Sequence, residues 1–145
     1  MMRMRSLATL AVAVCLATGV GAAARPAFSI KDQMNAIVDP SSKLIFAVGG
    51  EVDPANGPSK TADARWAEAA DAAAQLKAAA TALQRRHVAK DRGLWMSDAK
   101  LLGATAAAVE RAAIAKDGMD FSAAANDLGD VCTTCHTRYK PQTAG

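Results

Sequence analysis

Hydrophobic residues recur every three or four positions along the chain after residue 28. This spacing places them on one face of an α-helix. No stretch shows the alternation of a half-buried strand, and no unit repeats at a fixed interval. Turn-forming residues divide the pattern into four segments. The pattern therefore predicts an all-α protein with the architecture of a four-helix bundle.

The first predicted helix runs from Ser29, a plausible N-cap with Asp32 three residues on, to Gly49-Gly50. Its predicted hydrophobic face consists of Ile30, Met34, Ile37, Leu44 and Val48. Pro40 interrupts this segment, because proline cannot donate a backbone hydrogen bond. We expect a kink there, or a restart with Pro40 in the first turn.

The other three helices follow a loop predicted at residues 51–61. The second helix carries a hydrophobic face of Trp66, Ala69, Ala73, Leu76, Ala80, Leu83 and His87. The third, from about Ser97, carries Leu101, Thr105, Ala108, Ala112 and Ala115. The fourth opens near Asp120, ends before Pro141 and carries Phe121, Ala124, Leu128, Val131 and Cys135.

The first 24 residues have the layout of a secretory signal peptide. Arg3 and Arg5 precede an apolar stretch, and small residues lead up to Ala24. We expect cleavage near Ala24, export to the periplasm, and one mature domain of residues 25–145 without stable membrane association. An uncleaved membrane anchor is the alternative, but the apolar stretch is rich in Ala and interrupted by Gly.

The charge balance gives little reason to expect nucleic acid as a partner. The chain has 17 Lys and Arg residues against 14 Asp and Glu residues. Loss of Arg3 and Arg5 with the leader leaves 15 basic residues and a net charge of +1. Such a balance produces no strong field toward nucleic acid or a membrane. Cys15 also leaves with the leader, so only two cysteines remain.

Those two cysteines belong to a Cys-x-x-Cys-His motif made by Cys132, Cys135 and His136. This order is the attachment site of a c-type haem: two thiols add to the haem vinyl groups, and the adjacent imidazole binds iron. On a helix, Cys132 and His136 lie one above the other, so the three bonds can converge on one flat macrocycle. We predict one covalent haem c with His136 as the proximal iron ligand.

Two other chemistries use similar residues. A thioredoxin-like dithiol needs a βαβ context with the motif at the start of a helix, and this motif lies near the end of one. A zinc site needs four ligands, and beyond the motif only His87 and carboxylates remain. The spacing therefore favours haem c over both.

The leader, the four helical segments and the near-terminal run CTTCHTRYK resemble the class II cytochromes c, which comprise the cytochromes c prime and their low-spin relatives. The resemblance implies an antiparallel up-down-up-down bundle with the haem near the C-terminal end of the last helix. Lys140 matches the basic residue that this family places after its haem histidine, and Tyr139 matches the aromatic before it. Both are therefore expected to contact the cofactor. Members often pair through their first two helices, which implies a homodimer.

The residue on the other side of the iron is a separate question. In an up-down-up-down bundle the end of the fourth helix lies beside Met34, His87 and Met96. Met34 lies about one turn inside the first helix, at the height of His136, which favours it as a ligand. The low-spin relatives also take a methionine from the first helix, whereas cytochromes c prime place a non-bonding Leu or Phe there. A packing role for Met34 is the alternative.

These predictions favour a one-electron carrier that serves redox partner proteins and is not an enzyme. The rival is a five-coordinate binder of nitric oxide or carbon monoxide, similar to the cytochromes c prime, with Met34 off the iron. A domain dedicated to one enzyme is a third interpretation. The runs SDAK and TADAR are interpreted as helix starts, and Trp66 and Trp95 as packing residues.

Overall fold

The computed structural model of the protein describes residues 29–57 and 61–140, so the predicted leader lies outside the described residues. Within them the protein is all-helical. Helix α1 is continuous and comprises α-helical Ile30–Gln33, π-helical Met34–Val38 and α-helical Asp39–Val52. Helices α2, α3 and α4 span Asp63–Leu83, Leu94–Ala115 and Gly118–Tyr139. A short 3-10 turn, Pro54–Asn56, follows α1.

The middle of helix α1 shows the restart expected at Pro40 and not the kink. The α-helical part begins at Asp39 with Pro40 in its first turn, a π-helical turn precedes it, and the Asp39 N–H donates to the Met34 carbonyl five residues back. A π turn contains one residue more than an α turn, so it rotates the positions on either side relative to each other. As a result only Val48 of the predicted face is fully buried, and the buried positions are Gln33, Val38, Ser41, Ser42, Ile45, Val48, Gly49 and Val52.

The sequence predicted the start of α1 correctly and its end incorrectly. The Ser29 N-cap is confirmed, since its Oγ accepts a hydrogen bond from the Asp32 N–H at 3.0 Å. The predicted end at Gly49-Gly50 is wrong, because the helix continues to Val52. Packing explains this: a Cβ on Gly49 would lie 3.0 Å from the Ala125 Cβ, so glycine allows α1 to approach α4 closely.

Helices α2 and α4 agree with the predicted faces. All of the predicted face of α2 up to Leu83 is buried, but α2 ends there and His87 is exposed, so its placement on an inward face is wrong. In α4, the predicted Phe121, Ala124, Leu128 and Val131 are buried.

Helix α3 was predicted less well. It begins at Leu94 rather than near Ser97, and Leu101 and Ala115 of the predicted face are exposed. Its buried face is made by Trp95, Asp98, Ala99, Leu102, Thr105, Ala106, Val109, Ala112 and Ala113. The largest buried side chain of this helix, Trp95, lay outside the predicted helix, which is why the face was misassigned.

The four helices form a helical bundle in which each packs against two others. Helix α1 packs on α2, α2 on α3, α3 on α4, and α4 back on α1. The α2–α3 contact is the most extensive. It is rich in small residues, and a Cβ on Gly103 would lie 3.4 Å from the Ala80 Cβ. Small side chains let two helices approach closely over a long contact. No helix in the described ranges has the length and hydropathy of a membrane span.

Helix ends meet in two groups of contacts. At what we call the Trp66 end, Trp66 and Phe121 pack edge to face with ring centroids 5.4 Å apart, and Lys116 pairs with Asp63 at 2.7 Å. At the Trp95 end, the Trp95 indole N–H donates to the Leu83 carbonyl at 2.7 Å. Each end is therefore fixed by at least one large aromatic side chain.

Candidate functional site

A pocket opens at the Trp95 end, where side chains from all four helices meet. Its empty volume, with the open mouth included, is about 430 Å³. The lining residues are mostly hydrophobic: Met34, Val38, Leu83, Trp95, Asp98, Ala99, Leu102, Val131, Cys132, Cys135 and His136. The structure thus brings together Met34 and the complete Cys-x-x-Cys-His motif, which are about 100 residues apart in the sequence.

Helix α4 runs through the motif and presents its three side chains to this pocket. Cys132 and Cys135 are free and half-buried, and His136 is exposed. Burial raises the pKa of both thiols, and the nearby Asp98 carboxylate adds to the effect on the pKa of Cys135. A thioredoxin-type dithiol depends on a lowered thiol pKa. The environment of these cysteines therefore fits an uncharged sulfur, as in a thioether, better than a reactive thiolate.

Met34 faces the motif from the start of the π-helical turn. It is half-buried, and Val38, four residues later, lines the same pocket. The preceding residue, Gln33, is buried and its side-chain amide donates to the Ala79 carbonyl of α2 at 2.9 Å. Single π turns inside helices often lie at functional sites. Here the turn and the Gln33 bond together position a thioether sulfur on the pocket wall.

The other two sixth-ligand candidates are not brought to this site. His87 is exposed in the connection between α2 and α3, because α2 ends at Leu83. Met96 is half-buried on α3, but neither residue lines the pocket. Of the three candidates, only Met34 therefore shares a pocket with His136.

An ion pair between the buried Asp98 of the pocket wall and the exposed Arg138 was missed from the sequence. Asp98 is 7% exposed, and the Arg138 Nη1 lies 2.7 and 2.8 Å from its two carboxylate oxygens. The SDAK run was interpreted as a helix start, but α3 already begins at Leu94, which places Asp98 in the second turn on the inward side. The sequence offered one sign that Asp98 lies on the inward side: it comes three positions after Trp95, which is a helical spacing.

Tyr139 lies behind the pocket wall. Its ring packs edge to face on Trp95 with centroids 4.9 Å apart, and its hydroxyl donates to the Asp91 carboxylate. This hydrogen bond is the main reason why the pKa of Tyr139 rises to about 12 and the pKa of Asp91 falls below its usual value. Tyr139 does not line the pocket itself, so its contact is with Trp95, which does.

Lys140 is exposed at the end of α4, where its backbone N–H donates to the His136 carbonyl at 3.0 Å. Its side chain, like that of Tyr139, is absent from the pocket lining. The two residues singled out by the family pattern thus stand beside the site. Direct contact of either with a cofactor stays a prediction.

The chain was compared with protein-family models, curated proteins and solved structures. None of the three comparisons gave a match. Across residues 29–57 and 61–140, no group of three or more His, Cys, Asp and Glu side chains is arranged to hold a metal ion, so the zinc interpretation gains no support. The donors in the pocket are two thiols, one imidazole, one thioether and the Asp98 carboxylate, which is paired with Arg138. The thiols, the imidazole and the thioether on hydrophobic walls fit a haem c.

Proposed function

We propose that this protein is a periplasmic c-type haem protein of the class II cytochrome c type, which carries single electrons between redox partners. Cys132 and Cys135 hold the haem, His136 is the proximal ligand and Met34 is the sixth ligand. One observation carries the proposal: the pocket in which Met34 faces the complete haem motif. The signal-peptide pattern supports export, because haem is attached to such motifs outside the cytoplasmic membrane in bacteria.

We further propose an antiparallel up-down-up-down topology, with the haem near the C-terminal end of α4. Contacts at both ends support it. At the Trp66 end, Lys116, just after α3, pairs with Asp63 at the start of α2. At the Trp95 end, Arg138 near the end of α4 pairs with Asp98 near the start of α3. Alternating directions bring these residues together through short connections.

When bound, the haem supplies the one-electron chemistry of its iron. The chain keeps both iron ligands in place. His136 is held by α4, and Met34 by the π turn and the Gln33 bond to Ala79. With Met34 and His136 as its ligands, the iron would be favoured in its reduced state, and its potential would be higher than with two imidazoles.

The walls of the site are held in place as well. Trp95 is fixed by its hydrogen bond to the Leu83 carbonyl and by the ring of Tyr139. Leu102 and Val131 are buried and limit the entry of water. A site that rearranges little suits electron transfer, because little reorganisation accompanies a change of oxidation state.

The visible spectrum of the exported protein, produced alongside a working haem-attachment system, tests this proposal. We expect a coloured protein whose mass exceeds that of the bare chain by one haem. Its iron should be low-spin and should ignore carbon monoxide. A colourless protein of bare-chain mass would contradict the proposal. High-spin iron that binds carbon monoxide would instead favour the five-coordinate gas binder.

The substitution Met34→Leu tests the sixth ligand. We expect it to convert the iron to a high-spin form that binds carbon monoxide, because leucine has no donor atom for the metal. Met119→Leu is the matched control, since Met119 is 69% exposed and does not line the pocket. An unchanged spectrum in the Met34 variant would remove Met34 as a ligand.

A further inference from the structure

The connection between α2 and α3, residues 84–93, is strongly basic, and we call it the basic loop. It carries Arg85, Arg86, Lys90 and Arg92 against a single acidic residue, Asp91. All four basic side chains are exposed, and none makes an ion pair within the described part of the chain. The carboxylate of Asp91 instead accepts hydrogen bonds from the Tyr139 hydroxyl and the Gly93 N–H.

The basic loop is anchored beside the candidate haem pocket. Leu83 and Trp95 lie on either side of the loop, and both line the pocket. The 2.7 Å hydrogen bond from the Trp95 indole N–H to the Leu83 carbonyl holds the two ends of the loop together. Val88 and Ala89 within the loop are half-buried against the core. Four positive charges against the single negative charge of Asp91, a net charge of +3, are therefore held next to the pocket and not on a freely moving tail.

The opposite end of the bundle has the opposite charge. Six acidic residues lie at or near the helix ends there: Glu51, Asp53, Asp63, Glu68, Asp117 and Asp120. The described basic residues nearest these helix ends are Arg65, Lys116 and Arg111; Arg65 and Lys116 make ion pairs with these carboxylates, and the group as a whole stays negative. The small net charge expected for the mature chain thus conceals a separation of charge along the bundle.

Two exposed hydrophobic side chains lie next to the basic loop along α3. Leu94 follows the loop directly and is 57% exposed, and Leu101, two turns later on the same side of the helix, is 50% exposed. An apolar centre with a charged rim is the composition of a protein interface. A redox pocket also requires a partner that accepts or donates electrons at its mouth, which a lipid surface cannot do.

We propose that the basic loop, with Leu94 and Leu101, is the docking surface for a redox protein that presents an acidic face. This inference rests on the proposed electron-carrier function. Opposite charges around the site of electron exit would steer the partner into a productive orientation and raise the association rate. The field at the pocket mouth, not the net charge of the protein, would set this rate.

Small redox probes of opposite charge measure that field. The reduced protein is oxidised in a stopped-flow instrument by anionic hexacyanoferrate(III) and by cationic tris(phenanthroline)cobalt(III), each over a range of ionic strength. We expect the rate constant for the anionic oxidant to fall as salt is added, because salt screens the attraction. The rate constant for the cationic oxidant should rise.

Two triple variants with the same change in net charge separate local from overall charge. Arg85→Gln/Arg86→Gln/Arg92→Gln should slow the anionic oxidant by about tenfold at low salt. The control, Lys43→Gln/Lys77→Gln/Arg111→Gln, removes as much charge from side chains on helices α1, α2 and α3, outside the basic loop. It should have a much smaller effect. Equal effects of the two variants would overturn the proposal.

Binding of poly-L-glutamate gives a readout that does not depend on the haem. Calorimetry should show binding to the full-length protein and to the control variant, and loss of binding in the loop variant. A colourless protein that still binds through the loop would contradict the proposed function but not the basic surface. A coloured protein that shows neither steering nor binding would contradict the docking surface alone. Sedimentation with phosphatidylglycerol vesicles but no response to poly-L-glutamate would overturn it in favour of a lipid surface.

Discussion

At the Trp66 end of the bundle, Arg65 and Lys116 are ion-paired and the core is closed, whereas at the Trp95 end a pocket is open and the four basic side chains of the basic loop make no ion pair among the described residues. Phe121 is fully buried against Trp66, and Arg65 bridges Glu51 and Glu68. The Trp95 end instead has a π-helical turn and an uncompensated basic loop. Regular packing thus concentrates at one end and irregular features at the other. Proteins commonly accept such local irregularity where a ligand or partner binds.

Phe121→Ala should weaken the Trp66 end most. Phe121 is the largest fully buried side chain among the described residues, and its loss should cost about 3–5 kcal/mol in the free energy of unfolding. Urea titration followed by circular dichroism measures this. The visible spectrum should stay unchanged, because Phe121 does not line the pocket.

The exposed Met119 provides the matched control for Phe121. Met119→Ala should change the stability by less than about 0.5 kcal/mol, as substitutions on the surface usually do. If Phe121→Ala altered the spectrum as much as the stability, the two ends would not be separable, and the comparison between them would be wrong.

Asp98→Asn should act at the Trp95 end, with a smaller effect on stability. It weakens the pair with the partly exposed Arg138, and we expect a loss of about 1–3 kcal/mol. It also removes a negative charge from the pocket wall. Under the proposed function that charge would favour oxidised iron, so its removal should raise the midpoint potential, measured by spectroelectrochemistry.

Asp127→Asn is the control for charge alone, because Asp127 is exposed on α4 and does not line the pocket. Its midpoint potential should remain close to that of the unmodified protein. Should both variants shift the potential equally, the position of Asp98 in the wall would have no special importance.

Tyr139→Phe should have the smallest effect, and its sign depends on pH. The folded pKa of Asp91 is lowered mainly by the Tyr139 hydrogen bond, so this contribution to stability is present above the ordinary Asp value of 3.8. It is lost as the pH falls through the lowered pKa. The variant should therefore melt slightly below the unmodified protein near neutral pH.

The difference in Tm should shrink as the pH falls below 3.8. On the alkaline side the hydrogen bond raises the pKa of Tyr139 from 10.0 to about 12, so the difference is fully present below pH 10 and is lost as the pH rises through about 12. Thermal melts across this range measure both limits. No difference in Tm at any pH would show that the hydrogen bond contributes nothing and that only the ring packing on Trp95, which phenylalanine retains, counts.

The parts of the fold that the sequence predicted well are those in which helical spacing runs unbroken. The faces of α2 and α4 follow one period over their whole length, so they could be assigned by counting. In α1 the π turn shifts the period, and Pro40 was the only sign of it. Helix α3 begins at Leu94, before the cap expected near Ser97, so Trp95 was left out when its buried face was assigned.

The candidate site was predictable where a motif marks it and not elsewhere. Cys132, Cys135 and His136 follow from their spacing, and Met34 followed from matching its height to that of His136. Asp98 and Arg138 are 40 residues apart, and only the folded bundle brings them together. The basic loop could be counted in the sequence, but its position beside the pocket depends on Leu83 and Trp95 being neighbours.

The extra residue in the π turn makes the length of α1 critical at one point. Met34 lies at its start and Pro40 just beyond its end, while the rest of the helix is held against α4 through Gly49. An in-frame deletion of one codon between Met34 and Pro40 would leave an ordinary α-helix and swing the thioether by about 100° around the axis. Under the proposed function, one codon in this interval would then separate a chain with two iron ligands from a chain with His136 alone, whose iron would be open to gases.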